Sequence, residues 1–383
     1  MLKSPSSTPT HDIDSLADYE CLLSELMQLE PAQVSQAEKS QRLLKLFNIL
    51  HQHHQQHCVA YANISRANQQ QESANSVADL PFLAVRLFKQ LELSSVEPQD
   101  VFRVLQSSGT TSQTAAKVYL DKATSARQSK TLVKILQATI GKQRLPMLII
   151  DAPKVVTDPK FSARAAGIQG LSFFGRDHCY ALDDDMQPNW SAIEAFAAKY
   201  ADKPVLIFGF TFMLWAYFIQ VLNTQGKQLN FSQGVLLHSG GWKKLEAQKV
   251  DNTTFKRQVL TTLGVSRVHN FYGMAEQVGT IFVECSEGHL HAPLLADVIV
   301  RNPHDMSVCD IGEQGIIQVL SALPTSYPGF SLLTEDLGRI TSIDTCPCGQ
   351  LGLTIAIDGR LPKTEVRGCS DTHAAEARVG AVL

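Results

Sequence analysis

Apolar residues recur every three or four positions through much of the first hundred residues. In SLADYECLLSELMQL (15–29) and KSQRLLKLFNILHQHHQQH (39–57) that spacing predicts amphipathic helices. The polar run NQQQESANS (68–76) predicts a loop. From Val101 the pattern changes. MLIIDAP (147–153), PVLIFGF (204–210) and GVLLHSGG (234–241) are short apolar runs ending in Gly, Ser, Asp or Pro, with helical stretches between them. Such alternation predicts a parallel-rich α/β core with functional loops at the strand ends. After Thr280 come shorter β-like pieces, TIFVEC, DVIVRN, GIIQVLSAL and LGLTIAIDG, which predict a smaller β-rich subdomain. The expected organisation is a helical region over 1–100, an α/β core over 101–279, the β-rich part over 280–357 and a short tail over 358–383.

One stretch tests that reading. PVLIFGFTFMLWAYFIQVLNTQG, between Lys203 and Lys227, carries no charge and is long enough to cross a bilayer. Gly209 and Thr211 interrupt it, and Gln220, Asn223 and Gln225 crowd one end. A buried strand over Val205–Phe208, a turn and a buried helix from about Phe212 fit better, so no membrane span is expected. At 383 residues the chain is too long for one ordinary core. Its net charge of −3 gives no basic footprint for nucleic acid. The start, MLKSPSSTPTHDIDSLADYE, lacks the apolar centre of a secretory signal, and eight cysteines do not make a disulfide framework at this size. The expectation is a cytoplasmic protein with reduced thiols.

Candidate chemistry begins at VLQSSGTTSQTAAKVYLD (104–121), which predicts a strand, a hydroxyl-rich turn and a second strand. It is no Walker loop, because Thr114 and Ala115 stand where that motif needs Gly and Lys. Backbone amides and hydroxyls of Ser107, Ser108, Gly109, Thr110 and Thr111 suit phosphate oxygens, with Lys117 as a movable charge; a plain hairpin turn is the other reading. Downstream, HNFYGMAEQ carries Tyr272, Gly273 and Glu276, LLTEDLGRI carries Asp336, and DGRLPKTEVRGCS carries Arg360 and Cys369. An aromatic ring stacks on a base, a glutamate binds magnesium and an aspartate accepts from ribose hydroxyls. Taken singly, each is also a packed tyrosine, a surface glutamate or a turn aspartate. In HQHHQQHC, His53 with His57 or His54 with Cys58 have metal-site spacing, but with no carboxylate or Cys pair nearby a solvated helix face is expected. Cys346 and Cys348 in CPCG, with Cys285 and His289 or His291 in ECSEGHLH, match a closed tetrahedral zinc site; Cys309 is a possible substitute, and buried reduced thiols are the alternative.

The ordered set SSGTT, YGMAE, EDLGR and GR resembles the adenylate-forming superfamily of acyl-CoA synthetases. The chain is most similar to the LuxE-type acyl-protein synthetases, with phenylacetate-CoA ligases as close relatives. DLPFLAVRLFKQ, RLPMLIID, FGFTFM and RGCSD add to the resemblance, which covers roughly 80–371. It implies the adenylate-forming large-domain fold, parallel-rich sheets flanked by helices plus a smaller β-rich subdomain. Only about 25 residues follow GR, so the superfamily's C-terminal domain is expected to be nearly absent.

The resemblance also implies roles. Ser107–Thr111 hold the ATP phosphates; Ser239, Gly240 and Gly241 approach adenine and the acyl carboxylate. Tyr272 stacks on the base, Glu276 coordinates magnesium, and Asp336 and Arg360 hold the ribose. Cys369 matches the cysteine that carries the acyl group, and the pattern favours His291 over His289. Phe210, Thr211 and Trp215 are candidates for an acyl pocket or for core packing. Implied partners are a fatty or aryl acid, with a long-chain fatty acid the one the resemblance favours, and an acceptor among its own cysteine, a reductase subunit, CoA or a carrier protein, within a hetero-complex. Ser112 replaces the usual glycine and Lys117 sits two places late, so a differently shaped phosphate loop is expected. Rival readings are a ligase releasing its adenylate to CoA or a carrier thiol, and an inactive nucleotide-binding subunit. An α/β-hydrolase is disfavoured because G-x-S-x-G does not occur.

Overall fold

The computed structural model describes residues 16–106, 115–157 and 163–361. Three helices open it: α1 (Leu16–Gln28), α2 (Gln36–His57) and α3 (Val59–Ala67). Ser35 caps α2 by accepting from the Glu38 amide at 3.3 Å, and Leu43, Leu46, Phe47 and Leu50 form the buried stripe its periodicity predicts. A short strand β1 (Leu83–Ala84) follows, then a separate hairpin of β2 (Arg103–Gln106) and β3 (Lys117–Leu120). Asp121 caps α4 (Lys122–Ile140) through the Thr124 amide at 2.7 Å.

The alternating region comes next. It runs β4 (Leu145–Ile149), α5 (Ala163–Ser172), β5 (Gly175–Tyr180), α6 (Trp190–Lys199) and β6 (Leu206–Phe210). The uncharged stretch then continues as α7 (Thr211–Met213), a π-helical turn over Leu214–Ile219 and α8 (Gln220–Thr224). It is therefore a buried strand and helix, and no helix among the described residues is long and apolar enough to cross a membrane. β7 (Val235–Ser239), α9 (Asn252–Leu263) and β8 (Arg267–Tyr272) complete the alternation. Then follow β9 (Phe282–Glu284), β10 (Leu290–His291), β11 (Ala296–Arg301), β12 (Gly315–Ser321), β13 (Ser331–Ile343) and β14 (Leu353–Arg360).

All but the hairpin join one twelve-stranded sheet in the order β11-β12-β13-β14-β10-β9-β8-β7-β6-β4-β5, with β1 beside β13. Strands β4 to β8 pair in parallel, and pairing turns antiparallel from β8–β9 onward. Each face of the parallel part has its own core. Phe208 and Leu237 point toward α4 and α5, while Ile207 and Leu236 point toward α6, the helical run after β6, and α9. The N-terminal helices cover β11–β14.

The histidine run of α2 is, apart from exposed His57, a polar seam buried or half-buried under the sheet connections and not the solvated face its spacing suggested. His54 bonds Ser95 Oγ at 2.8 Å and the Pro324 carbonyl at 3.2 Å, His53 bonds the Thr325 carbonyl at 2.8 Å, and His51 bonds the Tyr61 hydroxyl at 2.7 Å. Those carbonyls belong to the β12–β13 connection, which needs partners where it passes under the helix.

Candidate functional site

The parallel strands β6, β7 and β8 end side by side, where the crossover connections leave the sheet, the usual place for a ligand in such a fold. At their ends Phe210, Ser239 and Phe271, the last residues of β6 and β7 and the last but one of β8, form one register row, Phe210 opposite Ser239 and Ser239 opposite Phe271. The chain then turns through Gly240 at φ +81°, where a Cβ would lie 3.3 Å from the Phe210 ring. Beneath that turn, Thr211 Oγ1 lies 3.2 Å from the Ser239 carbonyl and 2.9 Å from His238 Nδ1. Trp215 packs against Trp242 and Phe255, with ring centroids 5.4 and 6.0 Å away. Thr211 and Trp215 are thus core residues, and of the three acyl-pocket candidates only Phe210 keeps accessible surface.

On the antiparallel side, Tyr272 at the end of β8 donates its hydroxyl to Asp336 Oδ2 at 2.8 Å. Asp336 of β13 pairs with Arg360 of β14 in the ladder, and Arg360 Nε lies 3.4 Å from Asp336 Oδ1. Burial, then the Asp336 carboxylate, push the Tyr272 phenol well above its ordinary range. Gly273 leaves room for Ile281, whose Cγ2 would be 2.9 Å from a Cβ there. Glu276 follows on a short helical turn (Ala275–Gln277) pinned by Gln277, which donates to the Val319 and Gly329 carbonyls at 3.1 and 2.8 Å. The Tyr327 hydroxyl holds the Glu276 carbonyl at 2.9 Å. Burial pushes the Glu276 carboxyl upward, opposed by Lys89 and Arg360. The structure therefore brings Tyr272, Asp336 and Arg360 into direct contact and sets Glu276 within their field. Lys117 pairs with Gln106 at the end of the β2–β3 hairpin nearest the connection between the two strands. Ser107–Thr111 and Cys369 lie outside the described residues.

Some polar groups here have no motif to announce them. Asn270 Oδ1 and His238 Nε2 are buried without a hydrogen-bond partner among the described residues, and the two residues are register neighbours on β8 and β7. Burial, with Lys256 and His269 nearby, pulls the His238 imidazole down to about 3. Asp151, just beyond β4, takes a two-pronged bond from Arg164 of α5 at 2.9 and 2.7 Å, both side chains buried. Removing either partner of such a pair costs about 3–5 kcal/mol.

A second constellation lies away from the strand tips. The ligand atoms of Cys285, His291, Cys346 and Cys348 all fall within 4.8 Å of one another. Cys285 and Cys346 sulfurs are 3.9 Å apart, and Cys348 Sγ is 3.3 Å from His291 Nε2. Tetrahedral zinc with Zn–S bonds of about 2.3 Å needs sulfurs about 3.8 Å apart, so three sulfurs and one nitrogen fit that ion. Cys285 directly follows β9, His291 lies in β10, and the Cys pair occupies the β13–β14 turn. Cys309 is not part of the group; its sulfur faces the Gln314 carbonyl at 4.0 Å.

Among solved structures, a 2-hydroxyisobutyryl-CoA ligase in an open conformation with its acyl-AMP and CoA superposes with a TM-score of 0.66. Identity is 17%, over 88% of this chain and 81% of that one. The same ligase in its postadenylation state gives 0.65 at 16% identity, over 88% of this chain and 73% of that one. The fold is that of the large domain of adenylate-forming enzymes. A family model described as acyl-protein synthetase, LuxE, matches residues 12–377, and the chain belongs to that family. A long-chain-fatty-acid–luciferin-component ligase of Aliivibrio fischeri is 25% identical over 183 residues, 46% of each chain. Its counterpart in Vibrio harveyi is 25% identical over 162 residues, 40% of this chain and 42% of that one. The matched segment spans about half the length of these relatives.

Proposed function

We propose that this chain activates a carboxylic acid with ATP as an acyl-adenylate and passes the acyl group to a thiol, its own Cys369 first. The observation that carries the reading is the bonded set Tyr272–Asp336–Arg360 beside Glu276, in a chain of this family. A carboxylate oxygen of the acid attacks the α-phosphorus; the bond to the β-phosphate oxygen breaks and pyrophosphate leaves with its electrons. The Cys369 thiolate then attacks the acyl carbon, the bond to the AMP oxygen breaks, and a thioester preserves the activation.

In this reading Asp336 and Arg360 hold the ribose, and Tyr272 packs against the base. The unpartnered Asn270 Oδ1 suits the donor that an adenine amine presents. Ser107–Thr111 and Lys117 hold the phosphates, and Ser239–Gly241 orient the acid. Glu276 would hold magnesium, which supplies charge neutralisation at the phosphate oxygens. The protein's own contribution is positioning and charge complementarity. Cys285, His291, Cys346 and Cys348 would hold a structural zinc with no part in the chemistry. The relatives' names join a long-chain fatty acid to a luciferin component; an acceptor protein such as a reductase subunit is the corresponding partner here.

AMP formation in the presence of ATP, magnesium and a panel of fatty and aryl acids tests the reading. Wild type is expected to release AMP only when an acid is present, and Asp336→Ala and Glu276→Ala are expected to lose that release while remaining folded. Wild-type turnover unaffected by both substitutions would refute the site; AMP release in wild type with no acyl adduct would move the acceptor to CoA or a carrier thiol.

A further inference from the structure

The start of α2 is docked onto the turn that carries Cys346 and Cys348 by a dense set of hydrogen bonds. The Gln36 amide donates to both oxygens of Asp344, at 2.9 and 3.1 Å, and Asp344 also accepts from the Gly352 amide at 2.7 Å. The Gln36 side chain accepts from the Leu353 amide at 3.1 Å and donates to Asp297 Oδ2 at 2.8 Å. Leu353 precedes Thr354, which pairs with His291 in the β10–β14 ladder. Asp297 accepts in addition from Ser40 Oγ at 3.4 Å and from the Val298 amide at 3.0 Å. Both carboxylates are thus satisfied by neutral donors.

Lys39, one turn further along α2, does not complete this set. Its side chain is 3% exposed and its ammonium lies 3.6 Å from Asp297 Oδ1, yet Nζ makes no hydrogen bond among the described residues. An ammonium has three donors to place, and leaving them unmade inside a protein is costly. The Lys39 charge also acts on the His291 imidazole, which places it beside the Cys/His group. As thiols, Cys285, Cys346 and Cys348 are weak acceptors. With a divalent ion bound, each thiol has given its proton to solvent. Three thiolates, a neutral imidazole and the ion then carry one net negative charge. Cys285 and Cys346 are buried, so that charge is balanced from within the protein or not at all.

We propose that Lys39 is the outer-sphere partner of the metal centre: its ammonium donates to a zinc-bound thiolate of the Cys285–His291–Cys346–Cys348 set and offsets the net negative charge there. The proposal rests on the zinc reading above. Lys39 touches no reacting atom and is a positioning residue for the metal alone. Its attraction to the centre exists only when the ion is bound, so the metal draws α2 onto the β13–β14 turn. The rival role, partner to Asp297 and nothing more, leaves the unmade donors of Nζ unexplained.

The test measures zinc affinity of the full-length protein by competition with a chromophoric chelator, with zinc content from metal analysis. Wild type is compared with Asp297→Asn, which removes the ion pair and keeps the lysine, and with the double variant Lys39→Met/Asp297→Asn. The double variant loses both charges together, so neither is left buried alone. Asp297→Asn is expected to hold zinc at least as tightly as wild type, because the ammonium is then free to face the thiolates. The double variant is expected to bind zinc about tenfold to a hundredfold more weakly than Asp297→Asn. Equal affinity in those two variants overturns the proposal and leaves the zinc reading standing. Zinc bound more weakly by Asp297→Asn than by wild type also overturns it, since the carboxylate would then be the group that supports the metal. A double variant that does not fold even with zinc overturns it too, because the lysine would then serve the packing of α2. No zinc bound by wild type defeats the zinc reading, and the proposal with it.

Discussion

Tyr272 keeps its proton at physiological pH because burial and the Asp336 carboxylate both oppose a phenolate. It is therefore a fixed donor to an aspartate that Arg360 holds from the other oxygen. Tyr272→Phe removes that donor and leaves the carboxylate free to rotate. A hydrogen bond to a charged group contributes about 1.5–3 kcal/mol, so the KM for ATP is expected to rise by about tenfold to a hundredfold. An unchanged KM in a folded variant would mean that Asp336 does not touch the nucleotide. Tyr272, Glu276, Asp336 and Arg360 were legible in the sequence because each sits in a short contiguous motif. Asn270 and His238 were not, although they lie beside YGMAE and within HSGG. Their shared feature, a buried polar atom without a partner, arises from the register of β7 against β8 and from the helices above them. The Asp151–Arg164 pair was invisible for the same reason, being made between a strand end and the next helix.

At the scale of elements, the α2 seam makes stability depend on pH. Burial lowers His51, His53 and His54 below their ordinary value, and His238 to about 3. In the unfolded chain these groups titrate near ~6.5, so as pH falls the unfolded state takes up protons first. Their stabilising effect is complete above about pH 6.5. Below it, about 1.4 kcal/mol is lost per pH unit for each histidine still kept neutral. Thermal unfolding is expected to show Tm falling steeply from pH 6.5 to 5; a flat profile would refute the neutral seam.

The Cys285–His291–Cys346–Cys348 group gives a second prediction. Purified protein is expected to hold about one zinc per chain, and Cys346→Ser to lose the metal and several degrees of Tm. Metal analysis showing no zinc in freshly purified protein would contradict it. Helices α1 and α2 were legible from periodicity, and strands β4, β6 and β7 from their short apolar runs. β5 was not, because GRDHCY is a polar edge strand. β13 had no strand signal because TEDLGR interrupts its apolar pattern, yet it runs for 13 residues because those polar groups face the site, the β14 ladder or solvent. The histidine run looked solvated because helical periodicity marks polar residues as outward, and nothing local says that a loop of bare carbonyls packs there.

Over the whole molecule, a single sheet carries both halves of the site: the register row at β6, β7 and β8 on the parallel side, and Asp336 and Arg360 on the antiparallel side. Tyr272 and the Glu276 turn sit where pairing changes direction between β8 and β9. In the proposed reaction a substrate bridges the two halves and presents its acyl carbon for transfer. The most direct test of that account is intact-protein mass spectrometry after incubation with ATP, magnesium and the mixed acids, wild type beside Cys369→Ser. The account predicts an acid-specific, hydroxylamine-sensitive mass increase on wild type that is absent from the variant. An adduct of equal yield on Cys369→Ser, or turnover to AMP with no adduct on either protein, would contradict it.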